Sequence, residues 1–358
     1  MEGTDDATSQ FAIETCTDST EWNAFLDRHD GPVYARWGWG EAVETYGIDR
    51  WHLVVRERST GDIVGALPLY HVESRLFGSQ LLSPAFAERG SATVDESQPD
   101  RVREMLLSHA TRLGTDLGVD VVTLRGSAID GTEPFVEKNR YVTFQNDVDR
   151  HPDAVWADLK DSRQRQVEQA ADNPALQFSV GTTLDDLREY YRLYLESMRG
   201  HGSPPHSFAF FETLWNHFAE DGTLRLSTVH RDGALINGMI DLALGSTVYQ
   251  WGVITDYEHR DLNGGSLLLW KSLAWAAENG YDTYEFGRTR EGSGVYMFKK
   301  SFGGSKTWYD DLHYFPGEPV SLPNPDDETY DRAKAVWRRL PLSVTRVVGP
   351  RIRKRIGL

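Results

Sequence analysis

The chain predicts a mixed α/β (α+β) fold arranged as two tandem domains. Three observations carry that prediction. Strand-like and helix-like segments are interleaved along the whole length. A length of 358 residues fits two domains better than one. A strand, a helix, a glycine and a further strand also recur in the same order in both halves. IVGALPL at 63–69 parallels INGMIDL at 236–242, and helices ending at Gly118 and Gly280 lead into VDVVTLR and YDTYEFGR. The match pairs Gly65 with Gly238, Gly118 with Gly280 and Asp120 with Asp282.

The elements follow in order. Residues 19–28 read as a helix capped by Ser19 or Thr20, with Trp22, Phe25 and Leu26 on its apolar face. A second helix is expected at 37–46. WHLVVRER and DIVGALPLYHV read as strands joined by a Ser-Thr-Gly-Asp turn. Residues 100–117 have helical period, 119–125 form an apolar strand, and a Gly/Pro-bearing stretch covers 126–140. In the second half, helices at 184–199 and 208–219 flank the loop GHGSPPHS. Strands follow at 224–231, 234–244 and 247–254, then a helix at 263–279, a strand at 282–287 and a last strand at 306–314. The Pro-rich segment FPGEPVSLPNPDD breaks the pattern.

Composition narrows the class. An apolar fraction of 39% and an aromatic fraction of 11% exclude a disordered or collagen-like chain. The single cysteine, Cys16, excludes an intramolecular disulfide framework and a cysteine-rich zinc site, and it reads as inert. His151, His201 and His259 lack metal-site spacing, so no metal is expected. The net charge of −16 argues against a general nucleic-acid binder. The charge is unevenly placed: residues 332–358 carry nine bases and no acid, leaving −25 on the rest. The acids are mostly aspartate and the bases mostly arginine, with only eight lysines, which suggests a halophile-like protein kept soluble in high salt. The start MEGTDDATSQ has no signal-peptide character, and no apolar run is long enough to span a membrane, so a cytoplasmic location is expected.

Two stretches carry chemistry. In GVITDYEHRDLNGG, 252–265, a strand gives way to a polar loop bearing Arg260, and Asn263, Gly264 and Gly265 open a helix. A helix N-terminus offers unpaired N–H groups to an anion, and glycines let the backbone approach it. A cap and a turn would explain the same residues. In EFGRTREGSGVYMFKKSFGG, 285–304, Arg288, Arg290, Lys299 and Lys300 are interleaved with aromatics and a Gly-Ser-Gly hinge. Arginine forks bind phosphate or carboxylate, and a lysine can polarise an acyl oxygen.

The first stretch resembles the acyl-CoA pyrophosphate loop of GNAT acyltransferases, with Asn263 where that pattern has its first glycine. The pattern FGR-x₄-SG-x-Y-x-FKK-x-FG resembles the C-terminal signature of FemABX-like peptidyltransferases, in the FemAB-related and BioF2-like branch of the same superfamily. WGWGEAVETYG, GALPLYHVESRLFGSQLLSPAF, SMRGHGSPPHSFAFFETL and LNGGSLLLWKSLAWAAENGYDTYEFGR are similar to further parts of that branch, so the likeness covers roughly 20–316. It implies two GNAT-like domains, at 1–145 and 146–316, followed by a linker and basic tail at 317–358.

The resemblance also implies roles. The family's lysine, placed at the donor carbonyl or tRNA end, falls on Lys299, with Lys300 as its neighbour. A family arginine that grips substrate phosphate corresponds to Arg199. The family's first-domain lysine has no counterpart, since its position is Val43, and the coiled-coil arm of tRNA-dependent members is missing between 182 and 220. Both departures weigh against a nucleotide-linked peptidoglycan precursor and against tRNA.

Acyl transfer to an amine needs orientation, a proton acceptor and a donor to the developing oxyanion. Lys299 is the candidate oxyanion donor, Arg288 an anion anchor and Tyr296 a proton donor or a core aromatic. Asp241, interrupting GMIDLAL, is a candidate acceptor of the amine proton. Arg260, Asn263, Gly264, Gly265 and Lys300 form the candidate donor site; Arg199, His206 and Trp251 form the candidate acceptor site. The expected activity is transfer of an acyl or aminoacyl group to an amine of a cell-envelope sugar, peptide or lipid-linked precursor. Acyl-CoA is favoured over aminoacyl-tRNA as donor. A degenerate GNAT-fold scaffold is the non-enzymatic alternative. The tail mixes bases with apolar residues in short helices broken by Pro341 and Pro350, a composition suited to peripheral membrane contact or to docking on the acidic body.

Overall fold

A computed structural model describes residues 10–74, 78–90, 92–97, 99–126, 134–320 and 330–356. The acidic start at 1–9, much of the Gly/Pro stretch (127–133), most of the Pro-rich break (321–329) and the last two tail residues lie outside these. The chain divides into two compact units. Unit 1 is Met1–Arg140, Tyr309–Asn324 and Arg353–Leu358; unit 2 is Tyr141–Trp308 and Pro325–Ile352.

Unit 1 opens with β1 (Phe11–Thr15), α1 (Ser19–Arg28) and α2 (Trp37–Glu44). Asp18, rather than Ser19 or Thr20, caps α1, its carboxylate accepting from the Thr20 and Glu21 amides. β2 (Asp49–Glu57), β3 (Ile63–Ser74), β4 (Gly78–Ser83) and the short β5 (Thr93–Val94) follow. Then come α3 (Pro99–Asp116) and β6 (Val121–Leu124). β1 to β4 form an antiparallel run and β4 pairs β6 in parallel. Strand alternation separates two cores. Leu53, Val55, Leu67 and Leu69 pack with α3, whereas Val54 and Ala66 pack with α1.

Unit 2 repeats this order. β7 (Val136–Asp147) enters it, α4 (Pro152–Ala157) and α5 (Asp161–Ala171) follow, and then β8 (Leu176–Gly181), α6 (Leu184–His201) and α7 (Phe208–Phe218). β9 (Leu224–Arg231), β10 (Ala234–Leu244) and β11 (Thr247–Thr255) come next. They lead into α8 (Gly264–Glu278), β12 (Thr283–Glu285), α9 (Gly294–Lys300) and β13 (Ser305–Tyr314). β8 to β11 are antiparallel, and β11 pairs β12 in parallel.

Each sheet is completed by a strand from elsewhere in the chain. β7 follows β6 in sequence but pairs antiparallel with β12, while the end of β13, Leu312–Tyr314, pairs antiparallel with β6. Consecutive domains read from sequence do not contain this exchange, because hydrophobic period reveals a strand but not its partner.

The internal repeat holds at the level of topology. Gly118 and Gly280 both adopt positive φ, +67° and +76°, directly after equivalent helices. The Gly65–Gly238 match does not hold. A Cβ on Gly65 would meet Val102 of α3, whereas one on Gly238 would meet Tyr190 of α6, not a residue of α8, the counterpart of α3. The two glycines face opposite sides of their sheets, a one-residue slip in register.

Two short helices close the chain: α10 (Asp331–Trp337) and α11 (Leu342–Arg353). They rest on unit 2. Arg338 Nε donates to the Gly200 carbonyl at 3.1 Å, and a Cβ on Gly349 would fall 2.3 Å from Pro205.

Candidate active site in unit 2

The two parallel strand pairs differ in one respect that locates the site. In unit 1, β4 stays paired to its last residue, Ser83, opposite Leu124. In unit 2, β11 pairs β12 only over Thr247–Tyr249, opposite Thr283–Glu285. From Phe286 onward the chain stays bonded to β7, through Phe286 N to Phe144 O and the Val142–Thr289 bridge. Among the described residues the β11–β12 ladder does not continue past Tyr249, and the two strands part as a fork. Val253, on a strand that is interior to the sheet, is 49% exposed as a result. The register shifts where the fork begins: Ile240 pairs Gly252 but Asp241 pairs Gln250, which leaves Trp251 in a bulge.

The open end of β11 runs into a 3₁₀ turn, Tyr257–Leu262, that carries the exposed Arg260. Asn263 is left-handed, with φ of 58°, and turns the chain into α8. The Gly264 and Gly265 amides lie in the first turn, ahead of the helix's own ladder, which begins with Ser266 N to Asn263 O. Gly264 is required by packing: a Cβ there would lie 2.3 Å from Oδ1 of the buried Asn237, whose Nδ2 donates to Thr255 Oγ1 at 3.1 Å.

Beside this turn lies a residue that sequence reading missed. Arg163 of α5 donates from Nε to Ser301 Oγ at 2.9 Å and from Nη1 to Ser266 Oγ and Gln166 Oε1. Its guanidinium lies 4.3 Å from the Phe298 ring centroid and 4.9 Å from that of Phe302. Among the described residues it has no carboxylate partner, and burial pulls its pKa down to about 10. The available signal was the segment DSRQRQVEQA, whose Val167 and Ala170 mark a helix with a buried side. Its low apolar content hid it.

The basic segment after β12 is organised by Lys299. The side chain is 9% exposed, and Nζ donates to the carbonyls of Phe286, Gly287 (3.0 Å) and Arg288 (3.3 Å). Arg288 and Arg290 place their guanidinium groups 5.1 and 5.4 Å from the Tyr141 ring, and Arg290 also donates to the Tyr141 hydroxyl. Tyr296 is buried against Phe144, ring centroids 5.2 Å apart, and the exposed Lys300 carries its ammonium 5.7 Å from the Tyr296 ring.

Trp251 meets an aromatic cluster from α6 and α7. Its ring centroid is 5.5 Å from Phe211 and 6.3 Å from His206, which stacks on Phe210 at 4.4 Å. The His206 backbone is held by Tyr191 and Tyr194. Tyr190 donates to Gly252 O at 2.9 Å, which ties α6 to the strand just past the bulge. Arg199 is in the last turn of α6.

Asp241 is enclosed in the core. It is 0% exposed, accepts from Ser272 Oγ at 2.6 Å and from Tyr284 OH at 2.8 Å, and sits between the sheet and α8. Asp241 is the sequence's candidate acceptor of the amine proton, and the structure encloses its carboxylate with no exposed surface. Burial raises its pKa to about 6. The folded state then holds the proton more tightly than the unfolded chain does. This contribution is full below about pH 4 and is lost as pH rises through about 6, a difference of ~3 kcal/mol. Asp241→Asn is expected to flatten that decline, as measured by urea midpoints at about pH 4.5 and about pH 7.5. A wild-type protein with no such decline would overturn the assignment.

Residues 160–300 match the family model described as Acetyltransferase (GNAT) domain. Unit 2 carries a GNAT domain. No curated protein sequence matches the chain. Among solved structures, FemX is similar at a TM-score of 0.65 and 14% identity, covering 85% of this chain and 97% of that one. L-PGS from Bacillus licheniformis is similar at 0.55 and 11%, covering 95% and 98%. A tandem GNAT protein from the clavulanic acid biosynthesis pathway is similar at 0.50 and 15%, covering 87% and 99%. The chain thus has the tandem GNAT fold and the architecture of the FemABX-like branch. Its GNAT domain contains the fork, the α8 N-terminus and Arg163.

Proposed function

We propose that the protein is an N-acyltransferase that takes its acyl group from acyl-CoA and delivers it to an amine on a cell-envelope sugar, peptide or lipid-linked precursor. The observation that supports this best is Arg163. It is a half-buried guanidinium with no carboxylate partner among the described residues, placed beside the Gly264–Gly265 turn. A cation removed from water and held only by neutral oxygens and two rings gains most from an anion that supplies the missing charge. The helix N-terminus adds its own preference for phosphate. A pyrophosphate there would let the rest of the donor lie along β11 where it diverges from β12, with its thioester near the closed end of the fork. The neutral amine attacks the carbonyl, a C–N bond forms, and the C–S bond breaks. The thiolate leaves, and water carries the amine proton to it. The structural likeness to FemX and L-PGS favours an envelope acceptor. Its amine would be presented on the Trp251 and His206 side, and a lipid-linked acceptor would be met at a membrane surface in the cytoplasm.

Calorimetry with acetyl-CoA and with acetyl-pantetheine tests the donor. Arg163→Ala is expected to weaken acetyl-CoA binding at least about tenfold, consistent with one lost charge-assisted bond. Acetyl-pantetheine, which lacks the phosphates, should bind both proteins alike. Unchanged acetyl-CoA affinity in a folded variant would overturn the reading. Binding of charged tRNA but not of acetyl-CoA would establish the aminoacyl-tRNA alternative, and neither would leave the scaffold. The halophile-like surface predicts an unfolding midpoint that rises with potassium chloride. A midpoint that falls as salt is added would remove that idea.

A further inference from the structure

The C-terminal helices have two unlike sides. One is docked on unit 2. Trp337, Thr345 and Gly349 are buried there, Gly349 against Pro205, and Arg338 holds the Gly200 carbonyl. At 100° per residue, Thr345 and Gly349 lie on one flank of α11. The other flank carries Val344, Val347, Val348 and Arg351, with Ile352 at its edge beside Thr345. The four aliphatic side chains there are 38%, 50%, 37% and 36% exposed. With Val336 of α10, they make up five of the thirteen exposed large apolar side chains among the described residues. Arg332, Arg338, Arg339, Arg346 and Arg351 are exposed in the same segment, and the sequence contains no acid from 332 onward.

We infer that this outer flank of α11 is a docking face for an anionic lipid surface. Aliphatic side chains interleaved with arginines match an acyl–headgroup boundary, where the first bury area and the second meet phosphate. A nucleic acid would use the arginines and leave the valines in water. A second copy of this chain would bring two positive faces together. The remainder of the chain, at −25, is repelled by the same lipid surface, so attraction is confined to this segment and orients the protein on the membrane. No described helix is long and apolar enough to cross a membrane, so contact through this face would be peripheral. The inference does not depend on the transferase reading.

Vesicle flotation with the full chain tests it, at about 0.1 M salt to keep the Debye length near ~10 Å. Binding is expected to vesicles containing about one-third phosphatidylglycerol and not to pure phosphatidylcholine. The variant R339E/R351E should bind at least about tenfold more weakly at an unchanged melting temperature. A second variant, V347D/V348D, removes the apolar part and should also lose binding. Acetyl-CoA affinity is the control, since no altered residue lies near Arg163 in sequence. No flotation with phosphatidylglycerol would overturn the inference. So would equal binding by the folded charge-reversed variant, or a dimer in sedimentation that V347D/V348D abolishes.

Discussion

Lys299→Met is expected to lose about 3 kcal/mol of folding stability and to reduce transfer at least about a hundredfold. The ammonium gathers the carbonyls of three successive residues, Phe286 to Arg288, at the point where the chain turns away from β11. Methionine has similar bulk but no donor, so it leaves buried acceptors without the cation that balances them. The segment that forms one wall of the fork then loses its tether, and with it the placement of Arg288 over Tyr141. Urea unfolding reads the first effect and acyl transfer to a model amine reads the second. Lys299 read from the sequence was an oxyanion donor. The structure places its ammonium on three backbone carbonyls, so the expected route to any effect on rate is the backbone it positions. If Lys299→Met kept wild-type stability while activity vanished, the direct role would be the better one.

Gly264→Ala is expected to be the most damaging change of a single methyl group in the proposed donor site, and Gly265→Ala a mild one. The two glycines are adjacent, yet a Cβ at Gly264 falls 2.3 Å from Asn237 Oδ1 while one at Gly265 has ordinary contact at 3.5 Å. Asn237 cannot swing aside freely, because it is buried and tied to Thr255. The first turn of α8 must lift instead, at a cost of about 2 kcal/mol, and its amides leave the position from which they face a phosphate. Acetyl-CoA affinity should fall at least about tenfold in Gly264→Ala and stay within about threefold in Gly265→Ala. The double variant Gly264→Ala/Asn237→Ala should recover part of the loss, since it removes the clashing oxygen. Equal effects at both glycines would show that the packing argument is wrong.

Much of the candidate site could be read from residue order because it is local. A strand, a polar loop and Asn-Gly-Gly at a helix start are contiguous, and so are the bases and aromatics of 285–304. Caps and helix starts are set by neighbours within four residues, which is why α8 falls where the sequence puts it. The one-residue slip between Gly65 and Gly238 shows the limit of that reading. A short apolar motif records that a strand is buried, but not which face each residue takes.

What the sequence determined by itself was the order of strands and helices, the repeat of that order, the glycine turn before α8 and the concentration of charge in the tail. Each depends on spacing along the chain, and spacing is what sequence records. The tertiary structure alone decided the exchange of β7 and β13 between the two sheets, the fork beyond Tyr249 and the enclosure of Asp241. It also decided the company of Arg163, whose partners Ser266 and Ser301 lie 103 and 138 residues away. These depend on which surfaces meet in space, and so does the division of the tail into a docked flank and an exposed one. Burial and pairing between distant segments raise the pKa of Asp241, lower that of Arg163 and place Lys299 on three carbonyls.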